Sequence, residues 1–276
     1  RRMSSLTQSN LLSIWGFAAD DVFIGGAEGT ILHFDGREWT RMDAKGRWTV
    51  KKMWGHDREH LYAVCTDGKI LHFDGKEWNM LPTESFPPMQ GVWGIAPDEI
   101  YAGCRLGKIA KFDGARWKFM VSGTNNDIAA IWGCKEAVYA VGFDGLFLQK
   151  VEDQWKRLTL NSNAEFYGIH GFGPNQVYIC GSDGTIYHFD GHNFTSMPTR
   201  TMEFFLDIWG PNPEMVFAVG DLGMIMYLDG DQWTRIESNT EEYLTAIWGT
   251  SESNIYAAGD NGLILHWDED DWRIIG

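Results

Sequence analysis

Apolar residues occur along the whole chain in runs of four to six, separated by short polar or glycine-rich clusters. Residues 244–275 show the pattern in one stretch: LTAIWG, TSESN, IYAAG, DNG, then LILHWDEDDWRII. Runs this short, rich in Ile, Val, Tyr and Trp, predict β-strands, and no segment carries the sustained 3.6-residue period of a helix. Runs such as VFIGG (22–26) and YAVG (139–142) are apolar at consecutive positions. That predicts strands covered on both faces.

The pattern repeats. The pair WG, once HG, recurs at Trp15, Trp54, Trp93, Trp132, His170, Trp209 and Trp248, at intervals of 39 residues and once 38. A second aromatic keeps step at Trp39, Trp78, Trp117, Trp155, Phe194, Trp233 and Trp272. The one-residue deletion falls where CKEAVY replaces the longer IAPDEIY, and turns tolerate such changes best. Four strands per unit, seven units and a period of about 39 residues predict an all-β fold. The expected fold is a seven-bladed β-propeller of four antiparallel strands per blade, spanning 1–276 as a single domain. Gly29, Gly68, Gly107, Gly145, Gly184, Gly223 and Gly262 mark one equivalent turn, where a positive φ or close packing is expected.

Residues 1–16 align without gaps on 234–249, so ring closure is expected by packing of the first blade on the last, without a long strand exchange. The start at Arg1 rather than Met points to trimming, or to added residues ahead of Met3.

Composition sharpens this picture. The chain has 14 Trp in 276 residues, and twelve of them are repeat positions, so the aromatic excess speaks first of blade packing. Trp267 replaces a repeat Phe, which leaves Trp48 outside the pattern. A net charge of −15 disfavours nucleic acid as a direct partner and favours a basic protein. No run is long enough to insert in a membrane as a helix. Four cysteines, Cys65, Cys104, Cys134 and Cys180, form no CxxC motif. Buried free thiols are expected, in a reducing, cytoplasmic compartment.

The units resemble the bacterial propeller repeat IWG-x-VYAVG-x-G-x-I-x-H-F-D-G-x-x-W. They are also similar to the degenerate Asp-box repeats of sialidases and photosystem II assembly-factor propellers. The matching residues are Asp35-Gly36, Asp74-Gly75, Asp113-Gly114 and Asp190-Gly191, each followed three residues later by Trp or Phe, and Asp229-Gly230 with Leu for Phe. Blade four (QKVEDQW, 149–155) and blade seven (HWDEDDW, 266–272) depart from it. The resemblance implies the architecture, and a structural role for the Asp turn. It does not imply an activity, because such propellers host enzymes, lectins and scaffolds alike.

Several residue patterns invite chemistry. His-x-Asp occurs at His33/Asp35, His72/Asp74, His188/Asp190 and His266/Asp268. Residues i and i+2 of a strand share a face, yet each pair sits on a different blade, so no shared metal is expected. A glycosidase requires two facing carboxylates, and sialidases add an arginine cluster; no three-arginine constellation occurs at equivalent inner positions. GxSxG, HExxH and phosphate-loop signatures are missing too. No catalytic, cofactor or metal residue is therefore assigned.

Divergence from the repeat points elsewhere. The turn after the second strand and the crossover to the next blade share one rim, here the top. At that turn stand Arg105, Phe143, Asp221 and Asp260, and the crossovers add Trp48, Phe86, Phe204 and Tyr243. Aromatics beside an arginine suit a protein interface. Lys52 and Asp207 replace small residues on the inner strand and are expected to line a solvated channel. The expected function is a monomeric, non-enzymatic protein-binding scaffold, with an inhibitor or immunity-type protein as one form. The alternatives are a carbohydrate-binding lectin-like propeller and, behind it, a glycosidase-like hydrolase.

Overall fold

A computed structural model of the chain describes residues 6–83, 86–268 and 270–276. Among these, 28 strands make seven four-stranded antiparallel sheets, each from consecutive strands. Blade 1 contains β1 (Leu11–Ala18), β2 (Asp21–Gly26), β3 (Ile31–Phe34) and β4 (Trp39–Arg41), running from the channel outward. The other innermost strands are Val50–Gly55, Met89–Ala96, Ile128–Gly133, Phe166–Gly173, Phe205–Asn212 and Leu244–Ser251. The architecture is the predicted seven-bladed propeller. No helix among the described residues is long and apolar enough to cross a membrane.

Blade contacts explain the repeat. Val22 to Gly26 of β2 are all buried, because a neighbouring sheet covers each face. The Trp of one blade lies over the glycine of the next blade's WG pair. A Cβ on Gly94 would come within 2.4 Å of the Trp54 ring, and one on Gly171 within 2.7 Å of Trp132. The outer-strand Trp meets the preceding blade edge-on: Trp155 on Tyr101 at 5.9 Å, Trp39 on Tyr256 at 6.4 Å. Such pairs contribute roughly 0.5–1.5 kcal/mol beyond their buried area.

The joint between blades 7 and 1 is made in the same way. Trp248 covers Gly16, the Thr245 hydroxyl donates to the Leu11 carbonyl, and among the described residues no strand crosses between the two sheets.

The turns match their residues. Gly107 has φ +67°, and a Cβ there would lie 2.0 Å from the Thr124 carbonyl oxygen of the crossover below. Both the backbone conformation and the close approach select glycine. At the opposite rim, Asp35 Oδ1 accepts the N–H groups of Arg37 and Glu38 at 2.9 and 3.0 Å. Asp74, Asp113 and Asp190 repeat this, and these bonds hold all four carboxyls below the usual range, helped at Asp113 first by Lys118. The Asp-Gly pair is thus a turn-closing device.

Candidate functional site

Each innermost strand begins with a β-bulge. Pairing with the second strand skips one residue, as between Leu11 and Ser13 or between Val50 and Lys52. The skipped residues are Leu12, Lys51, Gln90, Ala129, Tyr167, Leu206 and Thr245. All seven line one central cavity of about 350 Å³ that opens on the top rim. A bulge turns the unpaired side chain away from the regular alternation, and here it aims one side chain per blade into a common funnel.

Below this ring lie Lys52 and Asp207. Instead of lining a solvated channel as separate charges, they meet at 2.7 Å from opposite sides. Asp207 Oδ2 also accepts the Ile247 N–H of the next blade at 3.1 Å. Ser13 makes the equivalent bond to the Met53 N–H at 2.8 Å. Deeper still is the aromatic ring. Trp15 contacts Trp54, Trp248 and, past blade 2, Trp93 edge-on at 5.8 Å. His170 takes the Trp place in blade 5 and bonds through Nε2 to the Gly210 carbonyl at 3.0 Å. Trp93 donates to the Gly133 carbonyl in the same manner, at 2.8 Å.

Arg105, Asp127 and Phe143 form part of the mouth. Arg105 Nε lies 3.2 Å from Asp127 Oδ2, and Asp127 Oδ1 accepts the Leu106 N–H at 2.8 Å. Phe143 stands edge-on to Tyr167 at 5.9 Å, and Tyr167 stacks on Phe204 at 6.2 Å. The Tyr167 hydroxyl donates to Glu165; burial and that carboxylate push its pKa up.

The sequence-selected residues divide. Arg105 and Phe143 line the funnel, and Phe204 reaches it through Tyr167. Asp221 and Asp260 are half-buried at the turns, where their N–H groups bond to the Phe204 and Tyr243 carbonyls at 3.0 Å. Burial, then Glu203 and Glu242 respectively, raise their carboxyl pKa values. Tyr243 is 45% exposed. Trp48 packs on the blade 2 core, with the Lys69 ammonium 4.5 Å over its ring, and Phe86 lies edge-on to Phe119 at 4.6 Å. Neither lines the funnel.

Lys51, Tyr167 and Leu206 carry no mark of the funnel in the sequence beyond holding one repeat position, three residues before the WG aromatic. The rim's apolar surface is likewise visible only in the structure. Among the described residues, the exposed large hydrophobic side chains are Leu6, Met80, Leu106, Phe119, Val121, Met202, Leu222 and Tyr243. Each lies in a top turn, in a top connection, or at the last two positions of an outer strand. Rim charge leans acidic on blades 5 to 7, where Glu165, Asp183, Glu203, Asp221, Glu242 and Asp260 outnumber Arg200, whereas on blades 2 and 3 Lys51, Lys69, Arg105 and Lys108 accompany Asp67.

Metal-like patterns do not gather. His33 bonds to Asp21 at 2.7 Å, His72 to the Glu59 carbonyl at 2.8 Å and His266 to Asn254 at 2.9 Å. Among the described residues no three His, Cys, Asp or Glu side chains could hold one ion. The two carboxylates lining the funnel, Asp127 and Asp207, are each paired with a cation. All four cysteines are free, but Cys134 is only half-buried, unlike the other three. The expectation of four buried thiols fails there because the shortened turn after Gly133 leaves its neighbours Lys135 and Glu136 exposed.

No protein-family model and no curated protein matches this chain. Solved structures do. A structure of YCF48 bound to D1 peptide is similar with a TM-score of 0.80 at 15% identity, covering 98% of this chain and 94% of that one. YCF48 from Cyanidioschyzon merolae has a TM-score of 0.79 at 16% identity, covering 98% and 99%. The WD40 β-propeller domain of Doa1 has a TM-score of 0.74 at 12% identity, covering 94% and 92%. At these identities the likeness is one of fold.

Proposed function

We propose that this chain is a non-enzymatic protein-binding propeller whose top rim docks a partner protein, with residues 1–276 acting as one Asp-box-like repeat domain. The carrying observation is that, among the described residues, the exposed large hydrophobic side chains all lie on that rim. Exposed apolar surface gathered on one face is the usual mark of an interface. The acidic arc on blades 5 to 7 favours a basic surface on the partner and speeds encounter. The YCF48 structure with a bound peptide shows that a propeller of this shape serves peptide binding in another protein. Free thiols suit a reducing compartment, and the cytoplasm is the place we assign. Without its partner the ring is monomeric in this reading.

Partner capture from source-cell lysate tests the proposal, with wild type set against a variant carrying Leu106→Ser, Val121→Ser, Met202→Ser and Leu222→Ser. All four side chains are exposed, so melting temperature should hold while captured partners are lost. Identical partner lists from the two proteins would remove the rim from consideration. A specific signal on a glycan array would favour the lectin reading instead.

A further inference from the structure

Of the seven side chains that the bulges aim into the funnel, Lys51 is the one cation. The other funnel cations are answered: Lys52 by Asp207 at 2.7 Å, and Arg105 by Asp127 at 3.2 Å. Lys51 Nζ has no hydrogen-bond or ion-pair partner among the described residues. Among the described residues the funnel lining therefore carries one cation more than its carboxylates, inside a chain of net charge −15. Lys51 is half-buried, and a partly desolvated charge without a direct partner is relieved by an anion supplied from outside. Burial, then repulsion from Lys52, lowers the Lys51 pKa against the more distant attraction of Asp207, which agrees with this placement.

The surroundings narrow the anion. Leu12, Leu206, Phe143 and Tyr167 give the funnel an apolar collar, so the charged group arrives on a short carbon stem. A cavity of about 350 Å³ admits a side chain and the backbone beside it, and is too small for a helix. The exposed apolar residues run round much of the rim, from Met202 and Leu222 past Tyr243, Leu6 and Met80 to Leu106 and Val121. A partner covering this much of the rim passes over the mouth, so the residue that enters is internal to its chain.

We propose that Lys51 anchors the side-chain carboxylate of an Asp or Glu in a loop of the partner protein, inserted into the funnel while flanking residues cover the rim. This rests on the rim-docking reading above. The test uses N-acetylated, C-amidated decapeptides with basic and apolar flanks and a central Glu or Gln. A Gln peptide with a free C-terminal carboxylate and free glutarate complete the set. Binding is followed through the Lys51 Cε resonance, assigned by its loss in Lys51→Met. The Glu peptide should shift that resonance and bind roughly tenfold more tightly than the Gln peptide, a preference lost in Lys51→Met and largely kept in Lys51→Arg.

Equal binding of the Glu and Gln peptides would overturn the proposal. So would tighter binding of the free C-terminus or of glutarate, or no shift at millimolar Glu peptide. Lysate capture separates the two ideas. If Lys51→Met retains the wild-type partners at wild-type strength, the anchor is wrong and the rim reading stands. If the rim variant retains them, the rim reading itself falls.

Discussion

Lys52 on blade 2 and Asp207 on blade 6 form an ion pair at 2.7 Å across the central channel, joining positions 155 residues apart. It is a direct polar tie between non-adjacent blades, whereas the apolar clusters mostly join neighbours. Replacing Lys52 by Met leaves the Asp207 charge 9% exposed, without its ion-pair partner and with the Ile247 N–H still bonded to it. The expected loss is roughly 2 kcal/mol, below the range of about 3–5 kcal/mol for breaking a fully buried pair, because Lys52 keeps 30% exposure. Lys52→Met combined with Asp207→Ser should recover most of it, since Ser13 already bonds a neighbouring blade from the equivalent position. Urea unfolding of the three variants checks this; a single mutant as stable as wild type would mean that the pair adds no stability.

Trp54 over Gly94 sets the contact between blades 2 and 3. Gly94→Ala places a methyl 2.4 Å from the indole and should cost roughly 1–3 kcal/mol through forced repacking. Gly173→Ala, where a Cβ meets nothing within 4 Å, should change stability by less than about 0.5 kcal/mol. Equal thermal shifts for the two would argue against the stacked arrangement.

Burial pulls the His170 imidazole down to about 4, opposed by its bond to the Gly210 carbonyl and by Asp207. An unfolded histidine titrates near 6.5, so between about 6.5 and 4 the unfolded chain binds the extra proton. Stability is therefore complete above about pH 6.5 and falls as the pH drops toward 4. Two and a half units correspond to a ceiling of roughly 3 kcal/mol, and about half is expected because channel solvent touches the ring. His170→Trp, the residue of the other six blades, should flatten this part of the stability–pH curve. Some slope remains from His72, His188 and His266, which burial also lowers. Parallel curves for the two proteins would show the ring to be solvated.

Thiol chemistry should separate Cys134 from the rest. Burial pushes Cys65 and Cys104 up to about 12 and Cys180 well above its usual value, so their thiolates are scarce near neutrality. Cys134 is half-buried and raised less, by burial and then by Glu136. A disulfide reagent at pH 8 should consume one thiol in the native protein and four after denaturation. Native consumption of two or more would contradict the burial of the other three.

Leu106 adopts φ +58° with its side chain 68% exposed. A leucine in this left-handed conformation costs roughly 1 kcal/mol, and Glu28, Asp144, Asp183, Leu222 and Asn261 hold the same turn position with positive φ. Leu106→Gly should leave melting unchanged or raise it slightly while weakening partner capture. Lower stability with intact capture would assign Leu106 a packing role.

The blade count, the strand order and the turn glycines could all be read from WG spacing, because those features recur within every 39 residues. The funnel could not. A bulge adds one residue to a strand without changing its apolar pattern, so Lys51 and Tyr167 look like ordinary alternating positions until pairing is seen to skip them. Lys52 and Asp207 were recognisable as channel residues, but their union depends on ring diameter, which no local pattern encodes. Trp48 stood out by breaking the repeat, yet it packs under Lys69 on its neighbour, because oddness in a sequence does not measure exposure.

The rim also makes the molecule two-sided. Among the described residues, its exposed large hydrophobic side chains face one way, and the turns closed by Asp35, Asp74, Asp113 and Asp190 face the other with charged and polar side chains. A disc of this kind should settle rim-down on apolar supports and at air–water boundaries, hiding its rim. A fluorophore or biotin attached at Arg37 or Lys76, on the inert side, would hold it the right way up.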